Sequence, residues 1–206
     1  MLAGLCGVIG PVVLVTSFVM NPGPPPGLSA AALIVWAHGR VPFLLFGGWL
    51  QGIGSALMVI FCLAVIEVGG IAGTFLGRLT QLAGSTILAV SLIEVTFYIA
   101  AAHAIVSGDA RLGLVTDGLI RSVQHVFLIA PALLIPVGWA LVKSRTLGPL
   151  LAYSALAIGI ALQMLGLAGM IRPLQPIVDD VLYVQAAWFV FAGIALAFGR
   201  SIPESL

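Results

Sequence analysis

At 206 residues the chain has the length of a single unit, and its composition is 61% hydrophobic and 7% charged, against roughly 25% charged for an average soluble domain. Its mean hydropathy is +1.22, so it lacks the polar residues that would cover a water-facing surface, and lipid is its expected solvent. A net charge of +1 excludes a nucleic-acid or strongly acidic partner, and Cys6 and Cys62, far apart and outside any CxxC pair, exclude a zinc knuckle or a disulfide-exchange motif.

Six apolar runs are long enough to cross a bilayer, at about 2–20, 42–66, 76–105, 115–142, 149–171 and 179–199, since a crossing takes about 20 residues. Helices are the expected form, because in lipid each segment must satisfy its own backbone hydrogen bonds. The first run has no basic leader and no A-x-A cleavage pattern, and Cys6 sits in no lipobox, so it reads as a retained helix. The Pro- and Gly-rich stretch 21–27 cannot be helical and predicts a stiff extended turn. Ser29 then caps a short helix reaching about Ala37, too short to span and expected to lie in the interface, where Trp36 is favoured.

Gly69, Gly70 and Gly73 mark the next turn, and Ser107, Gly108 and Asp109 the one after it. Pro131 and Pro136 predict a kink or local unwinding in the fourth run, and Pro173 and Pro176 close the fifth. Small residues line one face of the second run (Gly48, Gly52, Ser55) and of the fifth (Gly159, Gln163, Gly166), which predicts close helix packing. The expected fold is therefore all-α: one transmembrane domain over residues 1–206, a six-helix bundle with a short interfacial helix between its first two spans.

Orientation follows the distribution of Lys and Arg. With the N-terminus inside, Arg78, Lys143, Arg145 and Arg200 fall on the cytoplasmic side, and Arg40, Arg111 and Arg172 on the other. This favours an N-in multi-pass protein of a bacterial-type inner membrane. The two halves show no repeat of the kind found in many transporters.

The chemical signal lies between Glu94 and His125. Ionisable groups inside apolar spans are costly and call for partners or a task. Asp117, Arg121 and His125 follow i, i+4, i+8 on one helix face, and Ser91, Glu94 and Tyr98 share a face of the preceding helix. A lone carboxylate in lipid takes up a proton, so Arg121, which is always charged, is the expected partner of Glu94. At about 1.5 Å per residue, Glu94 falls near the mid-plane, His125 a few ångströms outward and Arg121 roughly 10 Å outward. Gln51, Gln163 and Gln185 reach the same layer from three other helices.

The seven residues Glu94, Tyr98, Arg121, His125, Gln51, Gln163 and Gln185 thus form a candidate ligand-binding set open toward the outer side, with Trp49 and Trp188 as apolar walls. The bland alternative is that Glu94, Arg121 and His125 only tie two helices together. His38 and Arg40 read as interfacial, His103 as facing water at a helix end, and Asp179 and Asp180 as capping the sixth helix. No HExxH, histidine box or facing histidine pair is present, and Lys143 stands at a loop edge, so no metal, haem, cofactor or catalytic residue is assigned.

The opening Leu2–Pro11 (LAGLCGVIGP) and the fourth-to-fifth turn Val142–Pro149 (VKSRTLGP) resemble a broad group of uncharacterised bacterial six-helix integral membrane proteins. That resemblance implies a six-helix bundle and brings no activity, substrate or catalytic residue. Three functions follow as expectations. The first is a bundle binding a small molecule or lipid headgroup. The second is an accessory subunit bound to a membrane-protein partner or to its own copies, and the third an intramembrane enzyme or proton-coupled carrier using Glu94 and His125.

Overall fold

The structure is a computed structural model, describing residues 1–21, 23–25, 27–129, 133–169 and 175–199. The side chains of 124–129, 169, 175–179 and 181 lie outside that description. Eight helices and no strands occur among the described residues: α1 (Leu2–Met20), α2 (Ala30–His38), α3 (Val41–Val68), α4 (Phe75–Ser107), α5 (Ala110–Ile129), α6 (Leu134–Ser144), α7 (Pro149–Gly169) and α8 (Gln175–Phe198). Four of them, α1, α3, α4 and α7, are long and apolar enough to cross a membrane. At about 1.5 Å per residue α4 extends for about 50 Å, more than a hydrocarbon core of about 30 Å requires.

The exterior is apolar, unlike that of a water-soluble fold. Phe46, Trp49, Leu82, Ile93, Leu150 and Phe191 face outward, while Gln51, Thr80, Ser91 and Glu94 are enclosed. Exposed threonine hydroxyls bond back to their own helix, Thr16 donating to the Val12 carbonyl (2.8 Å) and Thr86 to that of Leu82 (2.9 Å), which satisfies these donors without solvent. An apolar exterior, with a few polar groups enclosed in an otherwise apolar interior, is the arrangement of a helical membrane protein.

Helix ends are set by local chemistry. Ser29 and Thr74 cap α2 and α4, their hydroxyls accepting from the Ala32 and Gly77 N–H groups. Gly108 ends α4 in the left-handed region (φ 71°), the Asp109 N–H returns to the Ala104 carbonyl (2.9 Å), and Asp109 Oδ1 accepts from the Arg111 and Leu112 N–H groups (3.1 and 3.0 Å) at the start of α5. The predicted turn there is present, but the helix after it begins at Ala110, earlier than the expected 115, because Asp109 caps it.

The fourth run is divided between α5 and α6. Pro131 lies outside the described residues, and Pro136 occupies the first turn of α6, where its missing N–H would have had no intrahelical partner. Pro173 is likewise outside the description. Pro176 does not close the fifth run but stands in the first turn of α8, again where proline is tolerated.

Close glycine contacts draw the helices together. A Cβ on Gly4 would meet the Gly193 carbonyl at 2.6 Å, and one on Gly54 would meet the Leu14 N at 2.8 Å, so α1 is seated between α8 and α3. A Cβ on Gly138 would meet the Leu156 N at 2.7 Å, joining α6 to α7. The small stripe of α3 faces α4: Gly48 lies against Tyr98 and Val95, and Gly52 against Leu92. Phe61, Val65, Leu134, Val137, Ala155 and Phe189 belong to the apolar core that these contacts enclose.

The same contacts define two ends. The start of α1 meets the end of α8 through Gly4 and Ala197, and Gly69 approaches Ser144 and Thr146, so the α3–α4 and α6–α7 turns lie together. At the opposite end Asn21 lies against Gly47, and Gly113 of α5 against Ile34 of α2.

Candidate functional site

Glu94 stands in the middle of α4 and is 1% exposed. Gln51 of α3, equally enclosed, donates its amide to Oε2, and the Tyr98 hydroxyl, one turn along α4, donates to Oε1 (3.3 Å). One turn before Glu94, Ser91 shares a hydrogen bond with Ser55 (2.8 Å). Two rungs of polar contact therefore cross the α3–α4 interface, Gln51–Glu94 and Ser55–Ser91. The i, i+4 spacing of 51 and 55 presents both to the i, i+3 pair 91 and 94.

These groups border a cavity of about 670 Å³. Its walls are mainly apolar and include Leu14, Phe18, Met58, Ile105 and Leu162, while Gln51, Ser55, Glu94 and Tyr98 supply a polar floor. Asn21, Leu33, Trp36 and Gly113 also line it, so it extends from the middle of the bundle toward the α2 end, with α2 lying over it. Asp117 and Arg121 of α5 and Gln185 of α8 complete the polar lining.

The structure brings five of the seven expected site residues, Gln51, Glu94, Tyr98, Arg121 and Gln185, to one cavity. Gln163 is half-buried on α7 and is not among the described lining residues. The side chain of His125 lies outside the described residues. The expected Glu94–Arg121 pair does not form. Arg121 Nε instead donates to Asp117 Oδ2 at 2.9 Å, the two side chains being 53% and 25% exposed. Asp117 is one helical turn away on the same helix face, so the guanidinium is satisfied locally, and Glu94 takes the neutral donors of Gln51 and Tyr98.

The proposed aromatic walls are also corrected. Trp49 points outward at 56% exposure and stacks on Phe46 (5.7 Å). Trp188 is buried in the apolar core, where its indole N–H donates to the Leu151 carbonyl (3.0 Å) and its ring meets Phe189 edge-on. The aromatic lining comes instead from Phe18, Tyr98, Tyr183 and Trp36 of α2, the last with the Arg40 guanidinium over its ring at 4.5 Å. Sequence reasoning assigned α2 to the interface and missed its part in the cavity. Asn21 was missed as well: its Nδ2 reaches the Leu44 carbonyl (3.5 Å), and its Oδ1 is buried with no hydrogen-bond partner. Gln51 as the direct partner of Glu94 was legible in principle, since it lies on the Gly48, Gly52, Ser55 stripe.

Comparison with known proteins adds no assignment. No family model, no curated protein and no solved structure matches the chain. The likeness at Leu2–Pro11 and Val142–Pro149 thus carries no further argument, and function rests on the site alone. Among the described residues no group of three His, Cys, Asp or Glu side chains is placed to hold a metal, and Cys6 and Cys62 are both free thiols.

Proposed function

We propose that this protein is an integral membrane binding protein whose cavity holds one small molecule or lipid with an apolar body and a polar group. In this reading α1, α3, α4, α5 with α6, α7 and α8 make six crossings, and α2 lies in the interface over the cavity mouth. The cavity carries the proposal. Its volume of about 670 Å³ falls within the roughly 300–1,000 Å³ of small-molecule sites, and so does its character, apolar walls with a few convergent polar groups. A bundle needing the polar groups only as glue would leave no cavity beside them, whereas Gln51, Ser55, Glu94 and Tyr98, though buried, are among the residues lining this one.

Arg78, Lys143 and Arg145 gather at the end holding the start of α1, and Arg40, Arg111 and Asp109 at the other. This supports an N-in orientation with the cavity toward the outer side. Purification in a mild detergent, followed by native mass spectrometry and analysis of the extracted small molecules, tests the reading. A co-purifying molecule is expected on the unaltered protein and lost in Ala101→Phe, which puts a ring where Ala101 lines the cavity. Retention undiminished in a folded Ala101→Phe protein would count against the pocket.

A further inference from the structure

The cavity presents acceptors where a ligand's polar group would sit. Gln51 and Tyr98 each donate one hydrogen bond to Glu94, one at each carboxylate oxygen, and each oxygen keeps a lone pair for a further donor. Asn21, in the same lining, has a buried Oδ1 with no donor. No Lys, Arg or His forms an ion pair with Glu94 among the described residues, the one described salt bridge being Arg121 with Asp117. Among the described lining charges Asp117 is paired with Arg121, and Glu94 is left with no cation beside it. A buried carboxylate in that position takes up a proton unless a cation is brought to it. A bound cation supplies the charge that holds Glu94 ionised, and a group with N–H bonds also supplies donors to its oxygens.

We infer that the ligand is a lipophilic cation, an amine or ammonium on an apolar body, with its charge at Glu94 and its body against Leu14, Phe18, Met58 and Ile105. This rests on the pocket reading above and adds the ligand's sign and polarity. An anion meets the Glu94 carboxylate at the floor, and a neutral acceptor brings that carboxylate neither charge nor donor, so both are disfavoured.

Equilibrium binding to the purified full chain in detergent provides the test. The probes are tetraphenylphosphonium as the cation, tetraphenylborate as its anionic counterpart, triphenylphosphine oxide as a neutral acceptor and dodecylamine as a cationic donor. Saturable binding is expected for tetraphenylphosphonium and dodecylamine, weaker by about ten- to hundredfold in Glu94→Gln, and at least about tenfold weaker for the anion and the neutral acceptor. The probe series on the unaltered protein decides the question even where Glu94→Gln fails to fold. Equal binding of all four probes, blocked by Ala101→Phe, overturns the charge assignment and leaves the pocket standing. Saturable binding of none overturns both.

Discussion

Glu94 holds its place through two neutral donors, and its removal has a defined consequence. In Glu94→Ala the Gln51 amide and the Tyr98 hydroxyl, both buried, lose their acceptor, costing about 1–3 kcal/mol for each group left unsatisfied. A lower midpoint of thermal unfolding in detergent is expected, and a smaller drop in the Gln51→Leu, Glu94→Leu double variant, where donor and acceptor leave together. The Ser55–Ser91 bond is an independent rung, and a double-mutant cycle with alanine should return a coupling of about 0.6 kcal/mol, the usual scale for such bonds in membrane bundles. Glu94 was legible in the sequence because a carboxylate amid Leu92, Ile93, Val95 and Phe97 is conspicuous. Its partner was not, because charge alone favours Arg121, and nothing in the linear order shows that Asp117 satisfies the guanidinium first.

Helices here approach one another through missing side chains. Gly7→Leu or Gly193→Leu forces α1 and α8 apart, since a Cβ at Gly7 already meets the Gly193 Cα at 2.9 Å and one at Gly193 the Gly4 carbonyl at 2.7 Å. Overpacking of this kind costs about 1–3 kcal/mol or more, measurable as a lowered unfolding midpoint. Gly118 on α5 has open space around it, so Gly118→Ala is expected to leave the midpoint unchanged or to raise stability by up to about 1 kcal/mol. Helix identity was legible at this scale. The bounds of α1, α3 and α4 fall within two residues of those expected, because the apolar runs and the turn residues Gly69 and Gly108 mark them. The division of the fourth run was only half legible: prolines signal a break, but nothing in the linear order places the start of the second piece at Leu134. The covering role of α2 was hidden for a related reason, since a short apolar helix reads alike whether it rests on lipid or on a cavity.

The molecule as a whole has two unlike ends. Single cysteines at Ser107 and Ser144, introduced after Cys6 and Cys62 are replaced by alanine, are expected to react with an impermeant maleimide from opposite sides of the membrane, Ser107 from the outer side. In the unaltered protein Cys62, 1% exposed within the core, should stay unreactive until the bundle is unfolded. Labelling of both engineered positions from one side would remove the six-crossing arrangement. The seam between α1 and α8 also bears on biogenesis. A helix made early, whose glycine face fits a helix made about 150 residues later, must wait in the bilayer with half of its contacts unmade. The α1–α3 pair is then the first assembly able to form, through Gly10 and Gly54, and completion of the bundle coincides with arrival of α8, so a chain stalled before that point would present its bare glycine groove to quality-control proteases.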